Sequence, residues 1–277
     1  MQVALGPRRY DVSTRALVMG ILNRTPDSFY DKGTYWDLDA FYRQAERLVA
    51  EGADLLDVGG VKAGPGPEVT EEEELERVVP VIGELAARFD IPLSVDTWRA
   101  SVAEAAYAAG AVVGNDISGF GDPDYLAVAA AAGATVVATH IRLRPRVADP
   151  EPHYDDLVGE VSAFLVERAR AAEAAGIPSE RIVIDAGCDL GKTWQQSLAL
   201  LRASDVLAGL GPWTLLLSAS NKTFLGKLLD LEVGERREAS HAAHALGIAK
   251  GCRILRAHDV VGAKRVVDVL QAVLEAA

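Results

Sequence analysis

The amino-acid sequence predicts an α/β fold, a single (β/α)8 barrel (TIM barrel) that spans residues 1–277. Short apolar runs rich in β-branched residues alternate eight times with longer amphipathic segments. No low-complexity linker divides the chain, and its length of 277 residues suits a barrel. Alternating strands and helices give a parallel sheet, and the count of eight favours a closed barrel over an open, doubly wound sheet.

The eight predicted strands are short apolar runs, each followed by a polar or glycine-rich loop. They are Leu17–Leu22, Asp54–Val58, Pro92–Val95, Val112–Gly114, Thr135–Ala138, Ile182–Ile184, Thr214–Leu217 and Ile254–Arg256. Segments rich in alanine, leucine and glutamate lie between them and repeat apolar residues at helical spacing. The predicted helices include Ala40–Glu51, Glu71–Arg88, Arg99–Ala109, Asp155–Ala175 and Glu238–Lys250.

Composition and charge exclude several classes of function. A net charge of −12, with no run rich in lysine or arginine, disfavours binding to nucleic acid or to an anionic membrane surface. No run approaches the roughly 18 uninterrupted apolar residues of a membrane span. The amino terminus lacks the pattern of a signal peptide, and the two cysteines form no disulfide framework. We therefore expect a cytoplasmic protein whose partners are small molecules.

Nearly every predicted strand ends at a side chain that can take part in chemistry. These side chains are Asn23, Asp57, Asp96, Asn115, Asp116, His140, Asp185, Ser218, Ser220, Arg256 and His258. Helix capping explains many polar residues after strands. It explains Asp96, Asn115 and Asp185 less well, because they lie inside or at the end of apolar runs, where a buried polar group needs a partner. Since strand ends meet at one mouth of a barrel, we expect a shared site there.

Cationic side chains concentrate after the last three strands of this acidic chain. They are Lys192, Lys222, Arg256 and His258. Barrels commonly bind phosphate in this region, where cations and backbone N–H groups meet. The pattern predicts a ligand that carries a phosphate or another anionic group.

Met19–Gly33, which reads MGILNRTPDSFYDKG, resembles the first signature of the dihydropteroate synthases, M-G-I-L-N-V-T-P-D-S-F-S-D-G-G. Further matches run in the same order along the chain. They are DVGG at Asp57–Gly60, SVDT at Ser94–Thr97, NDISG at Asn115–Gly119, IDAG at Ile184–Gly187, GKT at Gly191–Thr193 and RAHD at Arg256–Asp259. The chain is similar to this family over essentially its whole length.

The resemblance implies an enzyme that joins 6-hydroxymethyl-7,8-dihydropterin pyrophosphate to p-aminobenzoate in folate synthesis, releasing pyrophosphate. It implies Mg²⁺ as a cofactor, held by Asn23, and a homodimer. The pterin would be bound by Asp96, Asn115, Asp185 and Lys222, and the pyrophosphate by Asn23, Lys62, Arg256 and His258. Catalytic roles are implied for Asp31, Lys222, Arg256 and His258, and contacts with the second substrate for Phe29, Pro65, Leu190, Asn221 and Thr223.

Three loops depart from the family's usual pattern. G-G-E-S-T-R-P-G is replaced by GGVKAGPG at Gly59–Gly66, G-F-G/A-K-T by DLGKT at Asp189–Thr193, and S-R-K by SNK at Ser220–Lys222. The changes fall on the side of the second substrate, whereas the residues assigned to the pterin are retained. Thr223, at the start of the helix after Lys222, is expected to hold a carboxylate through its hydroxyl group and the helix N-terminus.

The departures leave more than one function open. One alternative is a divergent paralogue that binds pterin pyrophosphate but uses another amine or lacks synthase activity. A pterin-binding methyl-transfer module is a second, although methyl transfer gives Arg256 and His258 no pyrophosphate to bind. A paralogue that only binds pterin or a protein partner is a third, and the intact set of pterin residues weighs against it.

Overall fold

The structure is a computed structural model that describes residues 1–24 and 38–276. The chain begins with an antiparallel hairpin of β1 (Gln2–Leu5) and β2 (Arg8–Asp11). Eight parallel strands then form a closed barrel. They are β3 (Leu17–Asn23), β4 (Leu55–Gly59), β5 (Leu93–Asp96), β6 (Val113–Asp116), β7 (Thr135–Thr139), β8 (Ile182–Asp185), β9 (Thr214–Leu217) and β10 (Ile254–Ala257). Because β10 pairs with β3, the sheet has no free edge, and the prediction of a (β/α)8 barrel is confirmed.

Helices lie between the barrel strands and after the last of them. The described α-helices are α1 (Leu38–Ala50), α2 (Glu71–Arg88), α3 (Ala100–Ala108), α4 (Tyr125–Ala131), α5 (Leu157–Ala174), α6 (Trp194–Arg202), α7 (Ser204–Ala208), α8 (Thr223–Leu229), α9 (Arg237–Ala249) and α10 (Val260–Glu275). Every predicted strand and helix boundary lies within two residues of the observed one. In the described ranges, no helix is both long and apolar enough to cross a membrane.

The hairpin, which the sequence analysis did not predict, closes the amino-terminal end of the barrel. Val3 and Leu5 are buried against the inward-facing apolar side chains of the strands. The turn approaches the barrel so closely that a Cβ on Gly6 would lie 2.6 Å from Cβ of Val112, and the φ of Gly6 is +59°. Its N–H donates to Oγ1 of Thr135, 3.1 Å away. The amino-terminal end is thereby closed, and the opposite end holds the polar strand termini.

His244 on α9 is a buried histidine, 1% exposed, whose two ring nitrogens have no hydrogen-bonding partner in the described part of the chain. Burial, aided by His241, lowers its pKa to about 4. The unfolded chain, with an ordinary histidine pKa, therefore takes up a proton below about pH 6.5 that the folded chain does not take up until about pH 4. The contribution of neutral His244 is present above pH 6.5 and is lost as the pH falls.

We expect the variant His244→Phe to gain stability relative to the parent protein as the pH falls from 7 to 5. The gain should reach about 2 kcal/mol in the free energy of unfolding at pH 5, since one pKa unit corresponds to about 1.4 kcal/mol. Urea denaturation at several pH values measures this difference. His153→Phe is the control, because the His153 side chain is 82% exposed. A pH-independent difference between His244→Phe and the parent would contradict the prediction.

Candidate functional site

A polar cavity lies at the carboxyl ends of the barrel strands. Its volume is about 60 Å³, and it adjoins a groove of about 140 Å³ at Ala63 and Leu190. Six of the predicted site residues line the cavity, namely Asp96, Asn115, Asp185, Leu190, Lys222 and Arg256. The larger depression of about 750 Å³ between α3 and α4 lies on the outer ring of helices and does not include these residues. The structure thus brings the predicted pterin residues together with one cation predicted to bind pyrophosphate.

Asp57 on β4 is fully buried and contacts two of the residues that line this cavity. Its Oδ2 accepts hydrogen bonds from Nε of Arg256 at 2.7 Å and from Nδ2 of Asn115 at 3.1 Å. Its Oδ1 accepts from Oγ of Ser94 at 2.6 Å. A buried carboxylate needs such partners to replace the hydrogen bonds that it loses to water. Asp57 therefore fixes the orientation of both Asn115 and Arg256.

Asp96 on β5 shares the guanidinium group of Arg256 with Asp57. Nη2 of Arg256 lies 2.9 Å from Oδ2 of Asp96, and strand register places Asp96 beside Asn115. Burial raises the pKa of Asp96, the charge of Arg256 lowers it, and the nearby carboxylate of Asp57 raises it again. Two carboxylates around one guanidinium make the cavity wall acidic enough to favour a ligand with several N–H donors.

Asp185 at the end of β8 is buried and points one oxygen towards its own loop. Oδ1 accepts a hydrogen bond from the N–H of Gly187 at 2.9 Å, so the second oxygen is left to accept from a ligand. Gly187 has a φ of +66°, and a Cβ there would lie 1.9 Å from the carbonyl oxygen of His140. Glycine is therefore required at this position. Burial raises the pKa of Asp185, while the amide of Gly187 and the charge of Lys222 oppose that shift.

Lys192 and His140 form a buried pair beside the cavity. Nζ of Lys192 lies 2.8 Å from Nδ1 of His140, and it also donates to the carbonyl oxygen of Leu190 at 2.9 Å. Burial lowers the pKa of Lys192 to about 7. Burial and the charge of Lys192 lower the pKa of His140 to about 3. Neutral His140 accepts the hydrogen bond, and this contact holds the loop after β8 against the loop after β7.

His258 is the predicted pyrophosphate ligand that follows β10, and it lies at an exposed position on the rim. Nδ1 is 3.1 Å from Oγ of Ser220, which also accepts a hydrogen bond from the N–H of His258. A hydroxyl group that accepts in this way can donate to Nδ1, which leaves the proton of the ring on Nε2. Desolvation, followed by the positive charges of Arg256 and Lys222, lowers the pKa of His258. The ring can therefore act as a neutral hydrogen-bond donor.

The groove of about 140 Å³ holds two of the residues predicted for the second substrate. Pro65 and Leu190 line it together with Asp189, Arg144 and Arg146. The guanidinium group of Arg146 donates to the carbonyl oxygens of Lys62 and Pro67, so it ties the loop after β4 to the loop after β7. The groove and the cavity therefore adjoin each other at the carboxyl ends of the strands.

The expectation that Thr223 holds a ligand carboxylate through its hydroxyl group and the start of α8 stays a prediction, but the amides at the start of α8 already have a partner. The N–H of Thr223 donates to Oδ2 of Asp189 at 2.5 Å, and the N–H of Phe224 lies 3.4 Å from the same oxygen. The chain's own carboxylate therefore already occupies these amides. The change from the usual glycine pattern at DLGKT is visible in the sequence, but this contact could not be predicted from it.

The remaining predicted residues are not all near the cavity. Lys62 is exposed and is not among the residues that line the cavity. Asn221 lines a separate cavity of about 300 Å³ with Ser220 and His258, and does not line the groove that contains Pro65 and Leu190. Asp31 and Phe29 lie outside the described residues. The roles assigned to these four side chains stay predictions.

Three site residues received no role in the sequence analysis. Asp57 was recognised there as a strand end, Lys192 as a cation and Asp189 as a departure from the family pattern. Their partners explain the omission, because Asp57 contacts Arg256 across 199 positions of the chain and Asp189 contacts Thr223 across 34. The signal available for Asp57 was its place within an apolar run, LLDVG, directly before two glycines.

Asn23 at the end of β3 provides an oxygen that fits a hard cation. Its Oδ1 lies 3.0 Å, and Oδ2 of Asp96 lies 3.6 Å, from the position that a Cβ on Gly59 would take. The glycine leaves open the space that these two oxygens face. In the described ranges no cluster of three or more histidine, cysteine, aspartate or glutamate residues could hold a metal. An amide oxygen of this kind suits Mg²⁺, which keeps several waters and binds phosphate oxygens of a substrate.

A closed β/α barrel whose strand ends present carboxylates, an amide and cations to one cavity defines a ligand-binding barrel enzyme, and residues 19–258 match the family described as Pterin binding enzyme. The chain belongs to the dihydropteroate synthase family. It is 40% identical over 270 residues to the dihydropteroate synthase of Bacillus subtilis, covering 97% of this chain and 92% of that protein. It is 43% identical over 265 residues to the "Inactive dihydropteroate synthase 2" of Mycobacterium leprae, covering 94% and 91%.

Solved structures agree with this assignment. The Xanthomonas albilineans dihydropteroate synthase in complex with 7,8-dihydropteroate has a TM-score of 0.88 at 40% identity and covers 99% of each chain. The Yersinia pestis enzyme with a sulfonamide drug complex has a TM-score of 0.91 at 36% identity and also covers 99% of each chain. Enzymes with bound product and bound drug therefore share the fold of this chain over nearly its full length.

Proposed function

We propose that this chain is a transferase of the dihydropteroate synthase type. It binds 6-hydroxymethyl-7,8-dihydropterin pyrophosphate and transfers the pterin methylene group to an amine, with release of pyrophosphate. The observation that carries the proposal is the convergence of Asp96, Asn115, Asp185, Lys222 and Arg256 on one cavity in a chain of this family. Relatives that are named as synthases and one crystallised with 7,8-dihydropteroate support it.

The polar groups of the cavity suit a pterin ring. The free oxygen of Asp185 can accept hydrogen bonds from the aminopyrimidine edge, and Asn115 keeps its carbonyl oxygen and one N–H for the ligand because Asp57 takes the other. Lys222 lines the same cavity and can donate to a ring nitrogen or carbonyl oxygen. A fixed set of donors and acceptors of this kind orients the ring before reaction.

Breaking the bond to pyrophosphate leaves a resonance-stabilised cation on the pterin methylene carbon. Asp96, and Asp31 by family resemblance, can stabilise that cation, while Arg256 and neutral His258 can donate to the departing anion. Bound Mg²⁺, held by Asn23, would supply further neutralisation of the pyrophosphate charge. The amine then attacks the carbon, and no nucleophile of the protein is required.

A second candidate function is pterin binding without synthase activity toward p-aminobenzoate. The altered loops at Gly59–Gly66, Asp189–Thr193 and Ser220–Lys222 favour it. The relative of Mycobacterium leprae that is named inactive is 43% identical, against 40% for the synthase of Bacillus subtilis. This candidate keeps the pterin site and differs only in the fate of the second substrate.

A pyrophosphate-release assay tests the proposal. Purified protein is supplied with the dihydropterin pyrophosphate and Mg²⁺, with p-aminobenzoate or with a neutral aryl amine such as p-aminobenzamide. We expect amine-dependent release of pyrophosphate that is lost when the metal is removed with EDTA and restored when Mg²⁺ is added back. Binding of the pterin without release under any of these conditions would favour the second candidate. Absence of both would refute the proposed function.

We also propose a cellular location and an oligomeric state. The acidic composition and the small-molecule substrates favour a cytoplasmic protein. A homodimer is proposed by family resemblance.

A further inference from the structure

Asp189, in the loop after β8, has an unusual backbone conformation for an aspartate. Its φ is +67°, in the left-handed region that glycine adopts with least strain. Its side chain accounts for the strain, because Oδ2 accepts from the N–H of Thr223 at 2.5 Å and Oδ1 accepts from Oγ of Ser197 at 3.3 Å. These contacts hold the carboxylate in one place, between the loop and the start of α8.

Asp189 also lines the groove that adjoins the pterin cavity, and its carboxylate is held at the start of α8. Leu190, the next residue, lines both the groove and the cavity. An amine that attacks the pterin methylene carbon from this groove therefore lies close to Asp189. A carboxylate on that amine would meet a like charge, and it would find the amides of Thr223 and Phe224 already hydrogen-bonded.

Other cations of the groove are largely engaged with protein partners. Arg142, on the same loop as the groove residues, pairs with Asp149 at 2.6 Å. Nζ of Lys192 is directed at His140 and at the carbonyl oxygen of Leu190. Arg146 donates to backbone carbonyl oxygens of the loop after β4. Arg144 lines the groove at an exposed position, where solvent weakens its attraction for an anion.

We infer that Asp189 is a specificity-determining residue that excludes amines bearing a carboxylate, so that the acceptor used by this chain is an uncharged or cationic amine. The inference rests on the proposed function, because it concerns the second substrate of the same site. The carboxylate of Asp189 accepts the hydrogen bonds that the amides of Thr223 and Phe224 would otherwise donate to a carboxylate of the ligand. It acts on the choice of acceptor and leaves the pterin site unchanged.

The test compares two amines that differ in charge and little in size, p-aminobenzoate and p-aminobenzamide. Each is titrated calorimetrically into protein saturated with 6-hydroxymethyl-7,8-dihydropterin and inorganic pyrophosphate, which occupy the site without reacting. The parent protein is compared with Asp189→Gly and Asp189→Asn. The matched control is Asp230→Gly, because Asp230 has a φ of +55° and lies at the other end of the same helix, away from the groove.

We expect the parent protein and Asp230→Gly to bind p-aminobenzamide more tightly than p-aminobenzoate. In Asp189→Gly the affinity for p-aminobenzoate should rise roughly 10–100-fold, the range expected for a hydrogen-bonded charged group, while that for p-aminobenzamide changes little. Asp189→Asn, which keeps a capping oxygen without the charge, should show a smaller rise. If Asp189→Gly binds p-aminobenzoate and does not bind p-aminobenzamide, the inference is supported equally.

Tighter binding of p-aminobenzoate by the parent protein, or an unchanged ratio of affinities in Asp189→Gly, would overturn the inference. Binding of neither amine to any of the proteins, with the pterin bound, would overturn it as well. The initial titration with pterin and pyrophosphate distinguishes failure of the proposed function from failure of the inference about Asp189. If it fails, the proposed function is refuted, whereas success followed by an unchanged ratio refutes the inference alone.

Discussion

Replacing Asp185 with alanine is expected to weaken binding of the dihydropterin pyrophosphate about 100-fold or more. The side chain is buried at the end of β8, with one oxygen bonded to the N–H of Gly187 and the other facing the cavity. A carboxylate that accepts two hydrogen bonds from the aminopyrimidine edge contributes about 1.5–3 kcal/mol for each bond to a charged group. Isothermal titration calorimetry of the parent protein and the variant measures the change.

The matched control for this variant is Asp116→Ala. Asp116 is a fully buried carboxylate at the end of β6, another strand of the same barrel, but its oxygens accept from the N–H groups of Ser118 at 2.6 Å and Phe120 at 2.9 Å. Its removal should lower thermal stability and leave pterin affinity unchanged. Equal affinity in the parent protein and Asp185→Ala would contradict the proposed pterin site. Equal losses in both variants would mean that a general structural defect, and no specific contact, explains the effect.

The barrel could be predicted from the sequence because each strand is a short apolar run between a helix and a polar loop. That pattern involves only residues that are close together in the chain, so it can be recognised without knowing which strands pair. The hairpin escaped because β2 (Arg8–Asp11) reads RRYD, with charged residues and no apolar run. Its pairing with β1 around Gly6 and Pro7 depends on a two-residue turn. A Gly-Pro pair is a turn signal, but it does not reveal that the hairpin covers the amino-terminal end of the barrel.

The candidate site could be predicted in part for a related physical reason. In a closed barrel all strands end on one face, so strand-end residues such as Asp96 and Asp185 must meet wherever they occur in the chain. What could not be predicted is how their side chains are divided among partners. The sharing of Arg256 between two carboxylates, and the filling of the α8 amides by Asp189, depend on distances that only the folded chain fixes. The resemblance named Arg256 as a pyrophosphate ligand but gave no sign that it is also bound to Asp57.

Replacing Asp57 with alanine is expected to lower the free energy of unfolding by about 3–5 kcal/mol. Removal of one partner from a buried, hydrogen-bonded ion pair is costly, although Arg256 keeps its bond to Asp96 in this variant. Here Arg256 would lose its bond to Asp57, and the polar groups of Asn115 and Ser94 would lose theirs. Urea denaturation, with the slope checked for two-state behaviour, measures the loss.

The double variant Asp57→Ala with Arg256→Met distinguishes two causes of lost stability, the loss of the ion pair and the empty space that a smaller side chain leaves. If the loss of the pair between Asp57 and Arg256 dominates, the double variant should be more stable than the sum of the two single variants predicts, by about 1 kcal/mol or more. Arg256→Met alone should be at least as destabilising, because it leaves the buried carboxylates of Asp57 and Asp96 close together without the cation that they share. Additive effects would contradict the pairing. Pterin affinity should fall in all three variants, since Asp57 and Arg256 together fix the orientation of Asn115 and Asp96, and recovered stability cannot restore that arrangement.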